Sequence, residues 1–188
     1  MDEKQIIRLC KSERTEYYKA LIQAYEGSLY RYCFHLSSNP HDAADLFQET
    51  WFKVFSKLKT YDEAYSFKNW LFTIASNEFK DRYRKKARRY THEKRFSDSK
   101  TMQLQMESLK SYDVPADELL EKKEVNHRLK QEVNGLRWIY RSVVVLHYFE
   151  EQSVRDVSEV LKIPEGTVKS RLSKARQILR ERMENHYG

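Results

Sequence analysis

Residues 153–182, SVRDVSEVLKIPEGTVKSRLSKARQILRER, decide the fold of this chain. Ser153 is placed to cap a helix, with Asp156 three positions on in the capping-box place. Val154, Val157, Ser158 and Leu161 form the expected inner stripe. Lys162 to Gly166 breaks the period, because Pro164 has no N–H to donate and Gly166 tolerates unusual backbone angles. A second period runs through Val168, Leu172, Ala175 and Leu179, spaced four, three and four apart. Its opposite face carries Lys169, Ser170, Ser173, Lys174 and Arg176, which together with Arg171 are the candidate DNA contacts of this helix. The pattern predicts a helix-turn-helix whose outer face, basic and short in side chain, suits a major groove. An ordinary helical hairpin with a solvated charged side is the alternative. Seven Lys or Arg against two Glu between Lys162 and Arg182 favour a polyanion as partner.

IPEGTVKSRLSKAR (163–176), preceded by YRSVVVLHYFEEQS (140–153), resembles the carboxy-terminal domain of bacterial extracytoplasmic-function (group four) sigma factors. That resemblance implies an all-α protein with two small helical domains joined by a flexible linker. It implies a transcription initiation factor that binds core RNA polymerase and directs it to specific promoters.

Composition points the same way. The 188 residues suffice for one mid-sized domain or two small ones. Four Gly and three Pro are too few for a turn-rich β protein. A net charge of +7 favours an anionic partner, nucleic acid or acidic membrane surface. No apolar run approaches the roughly twenty residues of a membrane span, and the first residues lack the pattern of a signal peptide. A cytoplasmic protein is expected, with Cys10 and Cys33 reduced and buried. The six scattered His suggest no metal site, and no cofactor or small-molecule substrate is expected.

Along the chain, a helical period through Leu21, Tyr25, Leu29, Tyr32, Cys33 and Leu36 ends at Ser38-Asn39-Pro40. Asn39 is a good cap and Pro40 suits the first helical position. The helix from His41 to Lys59 is expected to bury Ala43, Phe47, Thr50, Trp51, Val54 and Leu58. Its other side shows Asp45, Gln48, Glu49, Phe52 and Lys53, and an exposed Phe among polar groups suggests an interface. Phe52 tucked against the first helix is the alternative. DAADLFQETWFKVF (42–55) resembles the stretch through which sigma factors hold the clamp helices of the polymerase largest subunit. On that likeness Asp45, Gln48 and Glu49 are polar contacts and Phe52 supplies apolar area.

Ser66 is placed to cap the next helix, with Trp70 and Leu71 as core. SFKNWLFTIASNEFKDRYRKKARR (66–89) resembles the segment that melts and captures the minus-ten promoter element. The likeness implies a pocket for a flipped-out base at Ser66, Phe67 and Asn77, with Lys53 nearby. Extruding a base costs a few kcal/mol, and an aromatic platform returns about 1–3 kcal/mol. From Lys80 to Tyr90 seven of eleven residues are Lys or Arg. Lys80, Arg84 and Lys85 are therefore candidate phosphate contacts.

Residues 92–118 lose hydrophobic period and read as a linker between a domain at 1–91 and a second at 119–188. Helical order returns with Leu119, Leu120, Val125, Leu129 and Val133, then Ile139, Tyr140, Val143, Val144, Leu146 and Phe149. The family has a Leu-Pro before this last helix where this chain reads Asn134-Gly135-Leu136-Arg137-Trp138, so its start stays open. The chain holds no nucleotide-loop, zinc-protease or nucleophile-elbow motif, so a binding protein is expected, not an enzyme. A stand-alone helix-turn-helix repressor or activator and an RNA-binding factor are the alternatives. The resemblance further implies a membrane-linked anti-sigma factor as a partner beside polymerase and promoter DNA.

Overall fold

The computed structural model describes residues 2–12, 14–94 and 128–187, with side chains to 85 in the first segment pair and to 184 in the last. All regular structure among them is helical. The amino-terminal half comprises α1 (Glu3–Lys11), α2 (Tyr18–Ser37), α3 (Pro40–Lys57) and α4 (Phe67–Lys94). The carboxy-terminal half comprises α5 (128–134), α6 (Trp138–Val144), α7 (Val154–Leu161) and α8 (Glu165–Tyr187). The linker expected at 92–118 lies outside the described residues, except that α4 stays helical to Lys94. The core positions expected at Leu119, Leu120 and Val125 lie outside them too.

Local chemistry sets most helix ends. Ser38 turns left-handed (φ 56°) to close α2, and Asn39 Oδ1 accepts from His41 N–H at 2.8 Å and Asp42 N–H at 3.3 Å. Pro40 then occupies the first turn, where a missing N–H costs nothing. Ser66 caps α4, its Oγ accepting from Asn69 N–H at 3.3 Å. α6 begins at Trp138, with Arg137 extended before it.

The amino-terminal core is built where α2, α3 and α4 cross. Leu21, Leu29, Tyr32 and Leu36 meet Ala43, Leu46, Trp51 and Val54, with Leu71, Phe72 and Ala75 closing the layer. On α3 the buried position is Leu46; Phe47, expected inside, is half-buried between Tyr30 and Trp51. Trp70 is likewise half-buried, packing on Tyr61 and Phe67.

In the carboxy-terminal half Val157 and Val160 of α7 meet Val168, Leu172 and Ala175 of α8. Val160 replaces Val154, Ser158 and Leu161 as the deepest part of the expected α7 stripe, those three being half-buried. The turn also differs from expectation. Gly166 has no positive φ and sits within α8; the left-handed residue is Lys162, at φ 52°. Ser158 makes that possible, since its Oγ donates to Ile163 O at 2.6 Å and its carbonyl accepts from Ile163 N–H at 3.2 Å. This closes the α7 terminus as a left-handed cap does with Gly.

The two halves are packed together. Ser142 through Leu146 are all buried, which one helix face cannot achieve. A helix apolar all round is buried on all sides, and this one lies between α8 of its own half and α2 of the other.

His35 sits in that seam. Its Nδ1 lies 3.1 Å from Asn134 Oδ1 and its ring packs 4.8 Å from Phe149. Burial holds its pKa below the usual 6.5, with Arg141, Lys130 and Arg31 adding repulsion. The packed form therefore disfavours the imidazolium. Stability is fully present above about pH 6.5 and falls as pH drops through the lowered folded value. Glu150, whose pKa burial raises, works in the opposite sense. The loss is thus expected as a difference: between pH 7.5 and 5.5 the melting temperature of wild type should fall further than that of His35→Gln.

Candidate nucleic-acid interface

On α8 the buried line of Val168, Leu172 and Ala175 turns Lys169, Ser170, Ser173, Lys174 and Arg176 outward, all exposed, with Arg171 half-buried. Ser170 Oγ donates back to Thr167 O at 3.0 Å, which keeps the side chain short against the helix. Among the described residues Lys174 Nζ reaches the neutral Gln177, at 3.1 Å. The ion pairs of this helix and α7 among the described residues are Arg155–Glu159 and Arg182–Glu132, and neither draws on that face. The α8 surface is a row of cations and hydroxyls with no carboxylate partner among the described residues. Arg171 edges a cleft against Ile139 and Tyr140 of α6.

A second cationic surface lies on α4. Arg84 and Lys85 are exposed and Lys80 is half-buried. Arg82 is committed, lying 2.9 Å from Glu49 and 3.9 Å from Glu78.

Of the residues expected at a base pocket, Ser66 and Asn77 are exposed. Lys53 is bound to Glu78, whose carboxylate is buried between α3 and α4. Phe67 requires correction. It is 1% exposed, its ring 5.3 Å from both Tyr25 and Tyr61, so it is a core ring and no platform for a base. The exposed aromatic here is Tyr65, 68% exposed, its carbonyl fixed by Tyr61 Oη at 2.5 Å. Sequence reasoning passed over it; an isolated Tyr in a polar loop beside a cap residue was the available signal.

Asp45, Gln48, Glu49 and Phe52 share one face of α3, and all four are exposed. Phe52 is 76% exposed. Glu49 accepts from Arg82, which holds its carboxyl below the usual range. Also missed in sequence were the Lys53–Glu78–Arg82–Glu49 chain of charges and the seam contacts of Lys68 and Asn69. No group of three or more metal-ligating side chains occurs among the described residues. No helix among them is long and apolar enough to cross a membrane.

Fold and surfaces together define a helix-turn-helix protein carrying a second basic helical unit. Residues 21–89 match the family model Sigma-70 region 2, and residues 126–179 match Sigma-70, region 4. The chain is 32% identical to ECF RNA polymerase sigma factor SigM of Bacillus subtilis, covering 85% of this chain and 91% of that one. It is 28% identical to SigW of the same organism over 96% of each. The sigma factor RpoE of Bartonella quintana, solved in complex with the anti-sigma factor NepR, superposes with a TM-score of 0.67 at 26% identity. That match covers 89% of this chain and 96% of the other. The chain belongs to the ECF RNA polymerase sigma factors. It is an alternative-sigma transcription initiation factor, which binds core RNA polymerase and directs it to promoters.

Proposed function

We propose that the two basic surfaces divide the work of promoter recognition. The exposed α8 face, free of acidic partners among the described residues, is the observation that carries this. Lys169, Ser170, Arg171, Ser173, Lys174 and Arg176 read the minus-thirty-five duplex, hydroxyls allowing deep seating and cations fixing register. Ser66 and Asn77, with Lys53 beside them, hold a base flipped from the minus-ten element. Tyr65 supplies the ring there in place of Phe67. Lys80, Arg84 and Lys85 bind the phosphates of the opened strand. Asp45, Gln48, Glu49 and Phe52 engage polymerase.

The working units are 1–91 and 119–188, joined through 92–118. The chain catalyses nothing itself and acts in the cytoplasm. As RpoE of Bartonella quintana was solved with an anti-sigma factor, a membrane-linked anti-sigma factor is the regulator proposed for this chain.

Run-off transcription with purified core polymerase tests the scheme. Asn77→Ala should slow promoter opening about tenfold with little change in closed-complex affinity, and equal loss in both steps would reject the base pocket. Lys169→Glu should weaken binding of the upstream duplex about tenfold and reduce its salt dependence by about one phosphate contact. Core polymerase affinity should stay unchanged; a parallel fall would remove Lys169 from the DNA face.

A further inference from the structure

α1 lies ahead of residue 21, where the match to Sigma-70 region 2 begins. Its apolar side is anchored: Ile7 and Cys10 are buried in the amino-terminal core, and Glu3 accepts from Tyr25 Oη at 2.6 Å. Its basic side turns to a different element. Arg8 and Lys11, three apart and so neighbours on the helix surface, both reach the loop that follows the short turn Leu58–Thr60. That loop, residues 61–66, ends in Tyr65 and Ser66 at the start of α4.

Lys11 Nζ donates to Tyr61 O at 2.7 Å and to Glu63 Oε1 at 3.3 Å, and it lies 5.3 Å from the centre of the Tyr61 ring. Arg8 Nε donates to the other Glu63 oxygen at 2.8 Å. Arg8 first, and Lys11 after it, hold the Glu63 carboxyl below its ordinary range. Tyr61 is buried, its ring packed on Phe67 at 5.3 Å and on Trp70 at 5.0 Å. Its hydroxyl donates to Tyr65 O at 2.5 Å. Asp62 closes the remaining span, its Oδ1 accepting from Ala64 N–H at 2.9 Å and its carbonyl from Tyr65 N–H at 3.2 Å. Both backbone polar groups of Tyr65 are thus taken while its ring stands in solvent. A fixed backbone under an exposed ring is the arrangement of a preorganised platform, not of a loose surface tyrosine.

We propose that Lys11 is a positioning residue for capture of the minus-ten base, acting through Tyr61 on Tyr65 and Ser66. The inference rests on the base-capture role given to those two residues with Asn77. A base that leaves the stack must meet its ring at stacking height and its polar partners within hydrogen-bond reach. A loop still free to move would have to be ordered as the strand binds, and affinity would fall by that cost. Lys11 meets the requirement in advance. One ammonium pins the loop where it leaves the short turn and again at its middle, and the Tyr61 hydroxyl carries the restraint to its end. Arg8 contributes less, because it is well exposed and surface ion pairs are weak. A charged donor on a part-buried backbone carbonyl is the stronger tie. The capture site thus extends to a helix 50 residues earlier in the chain.

The test uses the full chain reconstituted with core polymerase and single-stranded minus-ten oligonucleotides, one intact and the others abasic at one position each. At the captured position wild type should bind the intact strand about tenfold more tightly than the abasic one, the scale of one stacked base. Lys11→Met keeps the aliphatic stem and loses the donor. It should bring that ratio below about threefold by loosening the platform, with affinity for the abasic strand unchanged. Tyr61→Phe, which deletes only the hydroxyl, should lower the ratio likewise, and the double variant should fall no further than either single one. Lys11→Arg, which keeps a cation facing the Tyr61 carbonyl, should retain most of the ratio. Parallel weakening on both strands, with a lowered melting temperature, would overturn the positioning role, since a merely structural helix would act that way. An undiminished ratio in both Lys11→Met and Tyr61→Phe would overturn it while leaving the capture site standing. A wild-type ratio of one at every position, indifferent to Asn77→Ala, would remove the capture site itself and the brace with it.

Discussion

Phe72→Ala is expected to lower the unfolding free energy by about 3–5 kcal/mol, whereas Phe52→Ala should change it by less than about 0.5 kcal/mol. The two residues have the same side chain and opposite surroundings. Phe72 is fully buried, its ring 5.0 Å from Tyr32, whose hydroxyl is bound to Ser76 Oγ at 2.7 Å. Truncation there leaves a cavity that three crossing helices cannot collapse to fill. Against a total stability of about 5–15 kcal/mol, that loss removes a large share of the folding free energy. Phe52 has little to lose on truncation because water already surrounds it. Its cost should fall on binding instead, at least tenfold in core polymerase affinity, as for a buried aromatic anchor. Urea unfolding and a polymerase binding titration on both variants provide the check. Destabilisation above 2 kcal/mol in Phe52→Ala would show that its ring packs against the chain and remove it from the interface.

The part of the fold legible in sequence is the part that short-range chemistry decides. Ser153 and Asp156 form the capping box their spacing predicts, with Asp156 N–H donating to Ser153 Oγ at 3.1 Å. Asn39-Pro40 starts α3 for equally local reasons. The α8 face was legible because one side of a helix follows from its period, whatever it packs against. Phe67 was not, since its orientation depends on Tyr25, about forty residues earlier, and on Tyr61 across a loop. Lys162 and Gly166 show a different limit. Propensity favours glycine for the left-handed position, but the Ser158 hydroxyl stabilises the turn around a lysine. The run from Ser142 to Leu146 was visibly apolar, yet nothing in it names the second surface that covers it. Long-range partners, not local preference, account for what the sequence concealed.

Such a concealed pair supplies the second large effect: Lys53→Met should cost about 2–3 kcal/mol, more than Glu78→Gln at about 1 kcal/mol. The asymmetry follows from where each charge can go. Lys53 has 42% of its side chain exposed, so without its partner the ammonium can turn into water. Glu78, with a side chain only 9% exposed, has no such exit. Once Lys53 is removed, the cation left to its carboxylate among the described residues is Arg82, at 3.9 Å and already engaged with Glu49. Burying a charge without an adequate partner costs more than removing the charge. Paired urea unfolding at neutral pH measures both costs. If Glu78→Gln proved the more damaging, the carboxylate would have to be hydrated in solution, and α3 and α4 would be farther apart there than the Lys53–Glu78 contact requires. The predicted order has a functional consequence. In the proposed promoter complex, a lysine already committed to holding two helices together would meet DNA as a fixed charge paired to Glu78, so Lys53 would set the geometry beside Asn77 more than it would add to the affinity for phosphate.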